Sequence, residues 1–233
     1  LAVLSHELRN PLAPIRNSLF LLARPGLTAE QASRSIAVIE RQVAQLTRLV
    51  EDLLDLSRIS SGKVQLQRTR VDLADLARRT LDDYRGAAAS AGLELAGEFA
   101  APLWVDGDAT RLTQVIGNLL SNSVKFTRPG GRVRVTAARE DERTALLRVS
   151  DTGVGIDPAM RARLFQPFAQ ADATLDRSRG GLGLGLALVK GFVELHGGSV
   201  EARSGDEGAG AELVVRLPLE GAPPAARAAQ VAP

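Results

Sequence analysis

The 233-residue chain contains two histidines, and His6 stands in the run SHELRNPLAPI, Ser5 to Ile15. At helical spacing His6, Asn10, Ala13 and Asn17 share one face, turned away from the leucines at 4, 8 and 12. A neutral imidazole is a nucleophile toward phosphorus, and an adjacent carboxylate, here Glu7, can orient the ring or take its proton as the N–P bond forms. Asn10, one turn further, is placed to orient a water for the reverse hydrolysis. Pro11 has no N–H for the carbonyl of Glu7, and Pro14 none for that of Asn10. Both are therefore expected to loosen and kink the turn beside the histidine. A kinked packing helix without chemistry is the other reading of the same residues.

Further on, NLLSNSVK sets Asn118, Asn122 and Lys125 at spacings of four and three, on one face of one helix. Amide oxygens suit Mg²⁺ in an octahedron completed by waters and phosphates, and the lysine can meet phosphate charge. An asparagine pair that only bridges helices is the plainer alternative. In DTGVGID, Asp151 emerges from an apolar strand, where its carboxylate could accept from an adenine amine. Gly153 and Gly155 would allow close backbone approach. In RGGLGLGLALVK, Gly180, Gly181, Gly183 and Gly185 precede a helix, whose free N–H groups and dipole favour phosphate. No Gly-Lys-Ser/Thr follows, which excludes a Walker loop, and the glycines open no dinucleotide-binding βαβ unit. Between these glycine runs, Pro158 to Arg179 reads as a mobile lid with Phe165 and Phe168 as its apolar anchors, or as a surface loop whose phenylalanines are merely core.

These groups must be held by two kinds of architecture. Apolar residues at 4, 8, 12, 15, 19 and 22 form one helical stripe, RPGLT breaks it, and Ile36, Ile39, Val43, Leu46, Val50 and Leu53 form a second in an a/d rhythm. The expected product is an antiparallel helical hairpin over residues 1–62. Two helices cover only part of such stripes, so pairing of two hairpins into a dimeric four-helix bundle, hence a homodimer, is expected. Residues 63–220 then read as an α/β sandwich with a mixed sheet and helices on one face. A short strand is expected at Val64 to Leu66, and one amphipathic helix from the Asp72 cap to about Gly92. Strands follow at LELAGEFA and LWV, a helix over DATRLTQVIGNLLSNSVKFT, and strands at GRVRVTAARE and TALLRVSD. A helix over LGLALVKGFVELHGG and two closing strands complete the domain. Residues 221–233, Pro/Ala-rich and aperiodic, read as tail or linker.

Composition narrows the classes. With 45% hydrophobic and 24% charged residues the chain can bury a real core. A net charge of +2 argues against nucleic acid as partner. The absence of cysteine removes disulfides and thiolate chemistry and fits a reducing compartment. No apolar run approaches the roughly 18 residues of a membrane span. Because Leu1 already lies in helical periodicity, the chain reads as a piece of something longer.

SHELRNPLAPI closely resembles the H box of sensor histidine kinases. NLLSNSVK, DTGVGID, the Phe165–Phe168 stretch and RGGLGLGL, in that order, resemble the N, G1, F and G2 boxes of their ATP-binding domain, which shares its fold with gyrase and mismatch-repair ATPases. The resemblance runs to about Leu219. It implies ATP and Mg²⁺ as cofactors, His6 as phosphoacceptor, Glu7 as general base and Asn10 as the residue of a phosphatase activity. It implies Asn122 as principal Mg²⁺ ligand with Asn118 nearby, Phe126 against the adenine and Asp151 reading its amine. Gly153, Gly155, Gly181, Gly183 and Gly185 are implied to shape the pocket and lid hinge.

Two positions depart from the family. Gln170 stands where an arginine is frequent, leaving Arg177 or Arg179 to face the γ-phosphate, and Leu182 replaces a frequent threonine. His196 reads as a helix C-terminal residue helped by the dipole. The expected function is an ATP-dependent cytoplasmic protein-histidine kinase that passes phosphate to an aspartate of a response-regulator receiver domain, separate or fused downstream. A degenerate kinase acting as a dimeric nucleotide-binding scaffold is the alternative. An ATPase or serine kinase sharing only the nucleotide fold would lack the H-box hairpin.

Overall fold

Four residues, Thr28 to Gln31, set where the long helix starts. The Gln31 N–H donates to the Thr28 hydroxyl at 3.2 Å and the Thr28 N–H to the Gln31 side chain at 3.0 Å, a capping box that satisfies two orphan donors. The computed structural model describes residues 4, 8–99, 102–169, 182–204 and 210–220. Helix α1 spans Leu12–Leu22 and α2 spans Ala29–Ser60, packed along each other as a hairpin. α2 ends in a Schellman turn: Gly62 donates to the carbonyl of Ile59 and Lys63 to that of Arg58.

The helix breaks at the prolines, as expected. The helix is interrupted at Asn10 and Pro11, Pro11 is the N-cap of α1, and Pro14 falls in its first turn. First-turn N–H groups have no intrahelical partner, so neither ring costs a hydrogen bond there. The apolar stripes are not uniformly covered. On α2, Ile39, Leu46 and Leu53 are half-buried, whereas Ile36, Val43 and Val50, offset from them in the heptad, are 47%, 49% and 47% exposed. On α1, Ile15 and Leu22 are half-buried, while Leu12 and Leu19 are exposed.

By internal contacts the chain forms two compact units, residues 1–64 with 163–188, and residues 65–162 with 189–233. The second contains both sheets. No strand forms at Val64 to Leu66. β1 instead covers Thr69–Asp72 and pairs antiparallel with β3, Trp104–Gly107, because Val71 and Val105, not Val64, find buried positions. The helix expected from Asp72 to Gly92 is two helices. The Asp72 carboxylate accepts from the Ala74 N–H to cap α3, Leu73–Asp83, and the chain breaks at Tyr84 before α4, Arg85–Ser90. Tyr84 has another use: its hydroxyl donates to the Gly117 carbonyl at 2.9 Å.

The main sheet has the order β2 (Glu94–Phe99), β4 (Arg132–Arg139), β5 (Thr144–Asp151), β7 (Ala211–Pro218), β6 (Ser199–Ser204). β2 runs parallel to β4 and the other pairs are antiparallel, so the sheet is mixed as expected. α5, Ala109–Phe126, and α3 pack on one face. Alternation puts Val133, Val135 and Ala137, then Ala145, Leu147 and Val149, under Leu112, Ile116, Leu119 and Leu120 of α5. All of these are essentially fully buried. Each such leucine contributes about 1.5–3 kcal/mol by leaving water. The opposite face carries ion pairs, among them Arg132 with Glu94 and Arg216 with Glu140 and Glu201. α6, Pro158–Arg161, follows the DTGVGID turn, and α7, Gly185–Leu195, precedes β6.

Candidate nucleotide site

The site is built on α5. Its N-cap, Asp108, accepts from the N–H groups of Thr110 at 3.0 Å and Arg111 at 3.2 Å with Oδ1, and from Gln67 at 3.0 Å with Oδ2. Burial pushes this carboxyl up, yet the three backbone donors and the Arg111 charge bring it below its ordinary value overall. With one side of the helix fixed by the core, Asn118, Asn122 and Lys125 come to the other, all half-buried as their spacing requires. The Lys125 ammonium lies 4.8 Å from the centroid of the Phe126 ring, which is 42% exposed.

Asp151 stands at the end of β5. Its Oδ2 accepts from the hydroxyl of Ser123 at 3.0 Å, and its Oδ1 from the N–H groups of Gly153 at 2.9 Å and Ala211 at 3.3 Å. Three of four lone-pair positions are thus used by described residues, which fixes the carboxylate and leaves one on Oδ2 for an incoming donor. Glycine is needed around it. A Cβ on Gly153 would lie 2.5 Å from the Phe126 carbonyl oxygen, and one on Gly210, at φ +85°, would overlap the Asp151 carbonyl.

Ser123 and Gly210 were missed by sequence reasoning. A serine on the apolar stripe of α5 was the available signal for the first, and the structure leaves it only 2% exposed. The second had only its place before the last strand.

Gly183 and Gly185 belong to the other unit. Phe168 is the non-glycine residue with positive φ, 64°, among those described, and its N–H donates to the Gly183 carbonyl at 3.2 Å. A Cβ on Gly183 would lie 2.5 Å from the Ala169 carbonyl oxygen, so the two backbones approach closely. Gly185 opens α7, as expected. His6, Glu7, Gln170, Arg177, Arg179 and Gly181 lie outside the described residues. Asn10 is exposed at the interruption before α1.

His196 stands at the C-terminus of α7 as expected, but as a buried neutral ring and not one helped by the dipole. It is 4% exposed, and burial above all pulls its pKa below the ordinary 6.5. Nε2 accepts the Asp108 N–H at 2.9 Å while Nδ1 lies 2.7 Å from the Phe192 carbonyl oxygen, which assigns the neutral tautomer with the proton on Nδ1.

The donor set fits Mg²⁺ delivered with a nucleotide. Among described residues no three acids or histidines gather as a cage. The neutral amides of Asn118 and Asn122 instead suit an ion that brings its own anions as phosphates.

The His Kinase A (phospho-acceptor) domain matches residues 1–62, and the histidine kinase-, DNA gyrase B- and HSP90-like ATPase matches residues 107–221. The circadian input-output histidine kinase CikA of Synechococcus elongatus is 41% identical over 94% of this chain and 29% of its own length. A solved mycobacterial sensor histidine kinase, MprB, is 33% identical with a TM-score of 0.58, covering 65% of this chain and 98% of that one. Full-length ShkA, solved in complex with AMPPNP, is 33% identical at a TM-score of 0.70 over 96% of this chain and 46% of its own. A phosphoacceptor domain followed by this ATPase fold defines a catalytic core, and the chain belongs to the sensor histidine kinases. Its domains are those of a protein-histidine kinase that binds ATP. It spans under a third of the length of CikA.

Proposed function

We propose that this chain autophosphorylates His6 from ATP. The residues of the candidate site divide the work. Asp151 accepts the adenine amine on its remaining Oδ2 position, Phe126 lies against the base, and Asn118, Asn122 and Lys125 face the phosphates. Asn122 would be the principal Mg²⁺ ligand with Asn118 nearby, and the ion would supply charge screening for the phosphates. The family resemblance assigns Gly153, Gly155, Gly181, Gly183 and Gly185 to the pocket and lid hinge, and Arg177 or Arg179 to the γ-phosphate. As the imidazole nitrogen of His6 bonds to the γ-phosphorus, the bond to the bridging oxygen breaks, ADP leaves, and Glu7 takes the ring proton.

The observation that carries this reading is Asp151, immobilised by Ser123, Gly153 and Ala211 with one acceptor position unspent among the described residues. The alternating exposed stripe of Ile36, Val43 and Val50 supports a homodimer in which a second hairpin covers it. Residues 1–62 act as dimerisation and phosphoacceptor domain, 63–220 as catalytic domain, and 221–233 as tail. The phosphohistidine passes its phosphoryl group to an aspartate of a receiver domain, separate or fused, and Asn10 supports the reverse, phosphatase reaction. Among described residues no helix is long and apolar enough to cross a membrane.

Incubation with γ-labelled ATP and Mg²⁺ tests the reading. Acid-labile, base-stable label on this chain, absent from His6→Gln, is expected. Nucleotide binding without label would favour the dimeric scaffold instead.

A further inference from the structure

The chain enters the α/β unit through Gln67 and Arg68, and both are fastened. Gln67 donates its N–H to Asp108 Oδ2, while the other oxygen of the same carboxylate caps α5. Arg68 donates from Nη1 to the Asp106 carbonyl at 3.0 Å and its carboxylate at 3.2 Å, and from Nη2 to the carbonyl of Leu195, the last residue of α7, at 2.8 Å. The next residue, His196, accepts the Asp108 N–H and holds the last turn of α7 through Phe192. Two residues of the incoming chain thus grip the N-terminus of α5 and the C-terminus of α7.

A helix N-cap needs one side-chain oxygen, but Asp108 spends its second on a residue 41 positions earlier. α5 does not need that bond to stay seated, because Leu112, Ile116, Leu119 and Leu120 fix it in the core at 0–1% exposure. The bond therefore acts on the incoming chain. Arg68 makes the same point differently. An exposed ion pair with Asp106 contributes little, whereas a guanidinium forked onto main-chain carbonyls of two elements sets geometry.

We propose that Asp108 and Arg68 are positioning residues for phosphoryl transfer: Asp108 locks the connection that follows the helical hairpin to the helix bearing Asn118 and Asn122, and Arg68 locks the same connection to β3 and to the end of α7, which His196 ties to that helix, so that a displacement of the connection is delivered to the nucleotide helix. This rests on the reading of α5 as the nucleotide helix.

The test uses the whole 233-residue chain. Asp108→Ser retains a hydroxyl that caps α5 but is too short to reach Gln67, and Arg68→Gln removes the fork. Three quantities are measured: affinity for a non-hydrolysable ATP analogue, rate of label transfer from γ-labelled ATP, and hydrogen exchange of the Gln67 amide. Analogue affinity is expected within about twofold of wild type while transfer slows about tenfold, with the Gln67 amide losing protection in Asp108→Ser. The double variant is expected to be no slower than the slower single, because both cut one linkage. Unchanged transfer with an unprotected Gln67 amide would overturn the inference. So would analogue affinity, thermal stability and transfer all falling together, since that describes a helix cap alone. Wild-type chain that binds no nucleotide removes the reading of α5 and this inference with it, whereas wild-type chain that binds nucleotide but takes no label leaves α5 as the nucleotide helix and overturns this inference alone.

Discussion

A carboxylate proposed to read an adenine amine has to be held still, and Asp151 is held by a hydroxyl from α5, the N–H of its own turn and an N–H from β7. Gly210 permits the third of these. Its backbone presses on the Asp151 carbonyl in a left-handed conformation, so Gly210→Ala brings both a clash and backbone strain. Affinity for an ATP analogue, measured by titration calorimetry, is expected to fall about tenfold or more, consistent with a turn displaced by the roughly 1–3 kcal/mol of that strain. Wild-type affinity in the variant would place the base elsewhere. The aspartate and its turn glycines were legible as a D-x-G-x-G run. Ser123 and Gly210 were not, because nothing in their immediate neighbours says that they meet Asp151.

At the scale of elements, His196 ties the end of α7 to the start of α5, and its protonation state makes the tie pH-dependent. Arg68 faces the ring and opposes its charging, Asp106 and Asp108 favour it, and the Phe192 carbonyl accepts from Nδ1; burial outweighs the favourable groups. Because the folded-state pKa lies below 6.5, the unfolded chain takes up a proton that the folded chain refuses. Stability from this group is therefore complete above about pH 6.5 and is lost as pH falls, by at most about 1.4 kcal/mol per pH unit. Urea midpoints at pH 7.5 and 5.5 check this: wild type should lose more between them than His196→Gln. An equal loss would mean that the ring does not titrate differently on unfolding. The histidine was visible in the sequence, but its periodicity placed it only at a helix end and suggested a cation. Burial against Asp108 reversed that.

For the whole molecule, the hairpin carries an apolar stripe that α1 and α2 do not cover between themselves. Ile36, Val43, Val50 and Leu54 are each about half exposed. In the proposed homodimer a second copy of the hairpin would cover this stripe with its own, as in a four-helix bundle. Val43→Glu combined with Val50→Glu puts charge on that face, and sedimentation should show a dimer becoming a monomer while ATP-analogue binding persists. A dimer that survives the double substitution would locate the interface on another surface.

Local rules determined the order of the elements, the caps at Thr28 and Asp72, the face shared by Asn118, Asn122 and Lys125, and the mixed-sheet sandwich. Each depends on residues within a turn or on alternation along a strand, so the chain encodes them without reference to its distant parts. Tertiary packing alone decided which half of the heptad rhythm stayed exposed, that the helix after Asp72 breaks at Tyr84, and that the incoming strand begins at Thr69. It also joined Ser123 to Asp151, Ala211 to Asp151 and His196 to Asp108, across 28, 60 and 88 residues. Such pairs form only when the sheet and helices are already stacked, because their bonds are set by the positions of whole elements and not by neighbours in sequence.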